Sequence, residues 1–153
     1  MSIFSRFKKK NVSPVVEMIR DNLNRFGIKV DDYGTRADFL NGEVYNYICT
    51  KNTTIKMVPN SSGTAFTTMI DTSMNCRNNH ELESRIEEFI KAYIAVLFIH
   101  TVLTLEDIER IKSGEPYNKN GIRSVMDRKE DSLYVTIFDS NNRRTDNLFQ
   151  NND

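Results

Sequence analysis

The sequence lacks most of the features that would assign it at once to a specialised class of protein. It has only two cysteines in 153 residues, Cys49 and Cys76, which excludes a disulfide-rich secreted scaffold and favours a reducing compartment. Its six glycines are isolated, so no Walker A loop and no Gly-x-Gly-x-x-Gly motif is available to hold a nucleotide phosphate. With 21 basic and 21 acidic residues the chain has no net charge, whereas a general nucleic-acid-neutralising protein should be clearly basic. We therefore expect a cytoplasmic protein with no specific nucleic-acid partner.

No stretch is long and apolar enough to predict a transmembrane segment. Residues 89–105 are the most apolar, but Lys91 and His100 interrupt them, and a spanning helix needs roughly 20 mostly apolar residues. The first ten residues have no apolar region after their charges, so they do not resemble a secretory signal. A buried helix in a small α+β domain explains residues 89–105 better.

Residues 1–12 form a basic lead that we expect to be flexible. Phe4 and Phe7 lie in sequence beside Lys8, Lys9 and Lys10, and this combination could make weak contact with an anionic or membrane surface. Incidental charges in a flexible lead are the alternative explanation.

Apolar residues recur at helical spacing in three segments of a predicted single domain, residues 13–138. Ser13 and Pro14 predict a helix start, and residues 14–26 continue it before Gly27. Asn78 and Asn79 predict the cap of a long second helix, in which every residue from 92 to 99 is apolar. Thr104 predicts the cap of a short third helix.

The other segments of the domain predict strands. Asn41-Gly42 is a hairpin signal and predicts a two-residue type I′ turn between strands at 36–40 and 43–51. Further strands are predicted at 54–58 and 64–74, and a final hairpin at 122–126 and 133–138. Sequential strands joined by tight turns favour an antiparallel arrangement. The expected fold class is α+β: an antiparallel β-meander packed by an N-terminal helix and a long central helix, with a C-terminal β-hairpin.

Candidate catalytic and metal-binding residues are few. Cys76 and His80 have the spacing C-x3-H and Cys49 could join them, but a structural zinc site usually has four ligands, and the fourth would have to be a carboxylate such as Asp71. His80 and His100 are the only histidines, and a small hydrolase or phosphoesterase using His80 or His100 is the alternative function. That alternative predicts that both rings line one polar cleft. We assign no catalytic residue, no metal and no cofactor.

The long central helix is predicted to carry more apolar surface than one sheet can cover. One face should pack on the sheet, and Ile94, Phe98 and Val102 on the other should contact a partner or a second copy. Residues 139–153 are expected to form a disordered tail in which Leu148 and Phe149 could act as a short docking motif. The function that follows is a small non-enzymatic protein that binds another protein and forms a homo-oligomer, such as a homodimer.

The order of the predicted elements resembles the type III secretion chaperone fold. The likeness is carried by residues 14–26, 43–74, 81–111 and 122–138, without a diagnostic motif. It implies a homodimer or a partner-binding surface and no catalysis, although such chaperones are typically acidic and this chain is neutral. The chain also has 17 Asn and 14 Ile but only 4 Ala. Such usage is typical of AT-rich coding sequences, as in some bacteriophages, and is compatible with an accessory or inhibitory protein acting on a host factor.

Overall fold

The computed structural model of this protein describes residues 13–37, 39–40, 42–59 and 66–140. Its helices are α1 (Pro14–Arg25), α2 (Asn79–His100) and α3 (Leu105–Lys112). Its strands are β1 (Val30–Ala37), β2 (Val44–Thr50), β3 (Thr53–Pro59), β4 (Phe66–Ser73), β5 (Ile122–Arg128) and β6 (Ser132–Asp139). The elements follow the chain order α1, β1 to β4, α2, α3, β5 and β6, so the predicted α+β fold class is confirmed.

The six strands form one antiparallel sheet in the order β1-β2-β3-β4-β6-β5. The first four strands are a meander, and the C-terminal hairpin extends the sheet because β6 pairs with β4 along its whole length. β1 and β5 are therefore the two edge strands. Strand β6 continues to Asp139, one residue beyond the predicted end of the domain.

The predicted two-residue turn between β1 and β2 is wrong. The last paired residues are Ala37 and Val44, whereas an Asn41-Gly42 turn would pair residue 40 with residue 43. This register differs from the predicted one by two residues. A shift of two residues leaves every side chain on the same face of the sheet, so the alternation of apolar and polar residues cannot distinguish the two registers. Asn41 itself lies outside the described residues.

A close contact between Gly34 and Tyr47 accompanies the observed register. These residues are directly opposite each other on β1 and β2. A Cβ atom added to Gly34 would lie 3.2 Å from Tyr47 Oη, so the tyrosine side chain occupies the space above the glycine. Tyr47 Oη also donates a hydrogen bond to Asp32 Oδ2 at 3.0 Å. Cross-strand contacts of this kind stabilise the observed pairing of β1 with β2.

The helices pack on one face of the sheet and enclose the core. Ile48, Ile55, Ile70 and Val135 form a continuous buried row across four neighbouring strands. Helix α2 covers this row, and α1 packs beside α2. The buried side chains of the two helices include Val16, Ile19, Leu23, Phe89, Tyr93 and Leu97.

A single subunit covers most of the circumference of α2. Every residue from Ala92 to Leu97 is buried, because the sheet, α1 and the α3 region surround the helix. The α3 side is fixed in part by Tyr93, whose hydroxyl oxygen accepts a hydrogen bond from the Tyr117 backbone N–H at 2.8 Å. The expectation of a large apolar excess is therefore wrong for this segment. The helix also ends at His100, because Thr101 is already extended.

Helix boundaries follow the capping residues predicted from the sequence. The side chains of Ser13 and Asn78 accept hydrogen bonds from the first turns of α1 and α2. Thr104 forms a reciprocal capping box with Asp107 at the start of α3. Among the described residues, no helix combines the length and apolar character needed to cross a membrane.

Candidate binding surfaces

One face of the sheet has no helix packed on it among the described residues, and we name it the open face. Strand register arranges its residues in three rows that run from β1 to β5. The middle row is Gly34, Tyr47, Lys56, Met69, Thr136 and Val125. The row towards one end of the strands is Asp32, Cys49, Thr54, Asp71, Tyr134 and Asp127. The row towards the other end is Arg36, Tyr45, Val58, Thr67, Phe138 and Arg123.

Four aromatic rings on the open face lie against cations. The pairs, with distances from the charged group to the ring centroid, are Arg36 and Tyr47 (3.9 Å), Lys56 and Tyr45 (4.2 Å), Arg123 and Phe138 (4.4 Å), and Lys129 and Tyr134 (5.0 Å). Such contacts stabilise an exposed pair by about 0.5–1 kcal/mol. Together with Met69, these aromatic and arginine side chains give the face the composition of a protein interface.

The backbone positions of acidic and basic residues on the open face are separated along the strand direction. Three aspartates share one row, which we name the acidic row: Asp32, Asp71 and Asp127. The row at the other end contains two arginines and no acidic residue, and we name it the basic row. Lys56 extends from the middle row over Tyr45, so its charge also lies towards the basic row. Two cations lie near the acidic row. Lys129, from the β5–β6 turn, lies over Tyr134, and Arg36 extends over Tyr47 so that its Nη2 lies 3.7 Å from Asp32 Oδ2.

A second surface, the junction patch, lies where α2 ends and α3 begins. Its members are Phe98, Val102 and Leu105, with exposed fractions of 39%, 74% and 83%. Phe98 also contacts Phe26 of α1, with ring centroids 6.2 Å apart, whereas Val102 and Leu105 are much more exposed. Large apolar side chains exposed close together in the chain are typical of interaction sites.

The junction patch contains two of the three helix residues that the sequence assigned to a partner. Phe98 and Val102 are in it, and the sequence missed Leu105, because its helical repeat places this residue on the buried stripe of α3. The third residue, Ile94, is only 5% exposed. It lies at an apolar groove of about 420 Å³ that Ile86, Ile90 and Lys112 also line.

A buried polar pair joins the end of α2 to the end of β6. His100 Nδ1 lies 2.7 Å from Asp139 Oδ2, and both side chains are almost completely buried. A carboxylate at one ring nitrogen fixes the orientation of an imidazole, as it does for catalytic histidines. Asp139, which the sequence assigned to the tail, is thus part of the folded core.

His80 and His100 do not line one cleft. His80 is exposed in the first turn of α2, and His100 is buried as its last residue. At 1.5 Å per residue, the intervening 20 residues separate them by about 30 Å. The two-histidine form of the phosphoesterase hypothesis is therefore wrong.

The residues considered for a metal site are also dispersed. Cys49 lies on β2, Cys76 lies between β4 and α2, and both are free cysteines. Within the described ranges, no three His, Cys, Asp or Glu side chains are grouped closely enough to hold a metal ion.

A polar cavity of about 460 Å³ lies between the end of α1, the β2–β3 turn and α2. Glu88 in its wall accepts hydrogen bonds from Thr53 Oγ1 at 2.6 Å, Asn52 Nδ2 at 3.2 Å and Thr50 Oγ1 at 3.4 Å. Its lining has equal numbers of opposite charges, namely Lys29, Lys51, Lys91, Asp31, Glu87 and Glu88. This balance favours no single class of ligand, and Glu88 is already engaged in holding the turn.

An ion pair between the buried Asp107 and the partly exposed Lys119 fixes the start of α3 to the loop before β5. Asp107 Oδ1 lies 2.7 Å from Lys119 Nζ, and Asp107 Oδ2 accepts a hydrogen bond from the Thr104 backbone N–H. The hydrogen bond from Lys119, together with that from Thr104, lowers the pKa of Asp107 to about 2. The same contact raises the pKa of Lys119. The arrangement is structural, because both oxygens of the carboxylate are engaged within the fold.

The predicted surface residues of the two ends lie outside the described residues. These are Phe4, Phe7, Lys8, Lys9 and Lys10 of the lead, and Leu148 and Phe149 of the tail. Both assignments stay predictions.

Comparison with known proteins gives no relative from which a role could be transferred. No protein-family model, no curated protein and no solved structure matches the chain. The surfaces described above are therefore interpreted from their own chemistry.

Proposed function

We propose that this chain is a small non-enzymatic protein that binds another protein through the junction patch and self-associates. The observation that carries the proposal is the joint exposure of Phe98, Val102 and Leu105. Covering such side chains releases roughly 25 cal/mol for each Å² of apolar surface removed from water. A partner with complementary apolar side chains gains this free energy, whereas a polar ligand does not.

The cellular role that fits is that of an accessory, chaperone-like or inhibitory protein of the cytoplasm. Its two free cysteines are compatible with a reducing compartment. Its amino-acid composition, rich in Asn and Ile and poor in Ala, is compatible with a bacteriophage origin. In this role the chain would act by occupying a surface of its partner, without chemistry of its own.

The test is affinity capture with the parent protein and the double variant Val102→Ser/Leu105→Ser. Both side chains are exposed, so the variant should keep the fold and its thermal midpoint. A protein that binds the junction patch should be captured by the parent and not by the double variant. Once identified, this protein should also bind the purified parent.

The matched control is Phe39→Ser/Leu40→Ser, which removes two fully exposed apolar side chains from the β1–β2 loop instead. It should retain the same partner. Binding that survives the change at Val102 and Leu105, or that both double variants lose equally, would contradict the proposed site.

The alternative function, a small hydrolase or phosphoesterase, now depends on a single histidine. Its support is the His100–Asp139 pair, which holds one imidazole in a fixed orientation. Assays with esterase and phosphodiester substrates should detect turnover in the parent and none in His100→Ala if this alternative is correct. Turnover that His100→Ala retains would remove its main support.

A further inference from the structure

We infer that the open face is the self-association surface and that its occupant is a second copy of this chain, packed with reversed strand direction. The inference rests on the self-association included in the proposed function and names the surface responsible. It depends on the distribution of charge along the strands, which the sequence alone does not reveal.

The two edge strands carry the same pattern in opposite chain directions. On β1 the aspartate precedes the arginine, as Asp32 and Arg36, and on β5 the arginine comes first, as Arg123 and Asp127. Because β1 and β5 run in opposite directions within the sheet, both arginines lie at one end and both aspartates at the other. On β1 the two side chains already contact each other, with Arg36 Nη2 3.7 Å from Asp32 Oδ2. The polarity of the open face is therefore carried mainly by β5, where Arg123 and Asp127 lie at opposite ends of the strand.

A polarised face of this kind is complementary to itself. Two copies can stack with their open faces in contact, related by a two-fold axis. The axis lies midway between the two sheets, parallel to them and perpendicular to the strands. It places the basic row of each copy over the acidic row of the other. Arg123 then faces Asp127 of the partner subunit, and the reverse contact occurs by symmetry. The middle row packs against its own counterpart, with the exposed Val125 and the half-buried Met69 as its apolar contacts; Tyr47 is already buried within the subunit.

The size of the face is sufficient for a stable dimer. Six strands at about 4.8 Å spacing, each with about seven residues at about 3.3 Å, give a projected area of about 650 Å². Two such faces would bury about 1,300 Å², which lies within the range of roughly 1,200–2,000 Å² for specific interfaces. Two sheets packed face to face at about 10 Å form a β-sandwich, an ordinary architecture for this contact.

Aromatic rings and cations on a sheet are also a pattern that binds single-stranded nucleic acid. The acidic row argues against that occupant here, because three aspartates across the sheet would repel phosphate groups. For a second copy the same aspartates are the required counterparts. Charge complementarity thus favours self-association, and nucleic-acid binding is an outcome that the experiment must be able to detect.

The experiment measures the mass of the full chain in solution by sedimentation equilibrium for four proteins and one mixture. The proteins are the parent, Arg123→Asp, Asp127→Arg and the control Arg77→Asp, and the mixture combines the first two variants in equal amounts. Arg123 and Asp127 lie on an exposed edge strand, so circular dichroism should show both variants folded. Arg77 is an exposed arginine at the start of α2, away from the sheet.

The parent and the control should have about twice the chain mass of 17.8 kDa. Each single variant should be monomeric, because like charges then face each other at two positions. The mixture should restore the dimer, because each acid introduced on one copy faces an arginine on the other. A variant that failed to fold could not produce this rescue.

The contrary results separate the inference from the proposed function. A parent dimer that both variants retain, or a mixture that stays monomeric, overturns the open face as the interface while leaving self-association intact. A monomeric parent at 100 µM overturns both self-association and this inference, and binding at the junction patch is tested separately. A monomeric parent that binds a fluorescent oligothymidylate, with weaker binding by Arg123→Asp, assigns the open face to nucleic acid instead.

Discussion

His100 Nδ1 contacts Asp139 Oδ2 at 2.7 Å, and this contact joins the last residue of the central helix to the last residue of the sheet. The two residues are far apart in sequence, and both side chains are shielded from water. A buried carboxylate without its partner is costly, so the pair should hold the chain ends of α2 and β6 together.

Replacing His100 with Leu should lower the free energy of unfolding by about 3 kcal/mol, because it removes the 2.7 Å contact between the imidazole and a buried carboxylate. Chemical denaturation of the parent and the variant measures the change. Adding Asp139→Asn should recover part of the loss, because a neutral amide is less costly to bury than a carboxylate. Equal stability of His100→Leu and the parent would show that the pair contributes nothing to the fold.

Replacing Glu88 with Ala should destabilise the protein by about 2 kcal/mol, because the three hydrogen bonds to the β2–β3 turn are lost together. Urea denaturation gives the value. The neighbouring change Glu87→Ala is the control, because Glu87 is exposed and its carboxylate pairs with Lys91 on the same helix. Its effect should be much smaller, and similar effects of the two changes would contradict the role given to Glu88.

The Asp107–Lys119 pair predicts a pH dependence of stability at the acidic end of the range. The pKa of Asp107 is lowered from the ordinary 3.8 to about 2, so the ionised carboxylate stabilises the folded state above about pH 4. This contribution should be lost as the pH falls from about 4 through about 2. Across that window, the midpoint temperature of thermal unfolding should fall more steeply with decreasing pH in the parent than in Asp107→Asn.

Lys119→Gln provides an independent check of that cause. Loss of the ammonium group should bring the pKa of Asp107 closer to its ordinary value, and carbon-detected NMR titration of the carboxyl group would measure it. An unchanged pKa in Lys119→Gln would assign the shift to the Thr104 cap alone.

Gly34→Ala should be less favourable than an ordinary Gly→Ala change within a strand, because the added Cβ would lie 3.2 Å from Tyr47 Oη and the ring would have to shift by a few tenths of an ångström. Movement of Tyr47 also weakens its hydrogen bond to Asp32 and its contact with Arg36. In a Tyr47→Ala background the same change should be more favourable than in the parent, since no ring has to be displaced. A double-mutant cycle should give a coupling of about 1 kcal/mol, and additive effects would show that the two positions are independent.

The local elements were predictable from the sequence because their signals lie within a few residues. Ser13, Asn78 and Thr104 are capping residues whose side chains satisfy backbone groups of the adjacent turn, and all three begin helices where expected. The final hairpin and the alternation of β4 also follow from neighbouring residues. Nearby chemistry of this kind does not depend on the rest of the fold.

The tertiary structure decided the surfaces. The apolar sequence of residues 92–99 indicated a buried helix, but only packing could show that one subunit covers most of it and leaves Phe98 exposed. The polarity of the open face depends on strand register and order, which bring Asp32 and Asp127 into one row although they are distant in sequence. Sequence alone determined which elements form, because hydrogen bonding and periodicity are local. Which side chains remain outside the core, and which charges become neighbours, was decided only when the elements packed together.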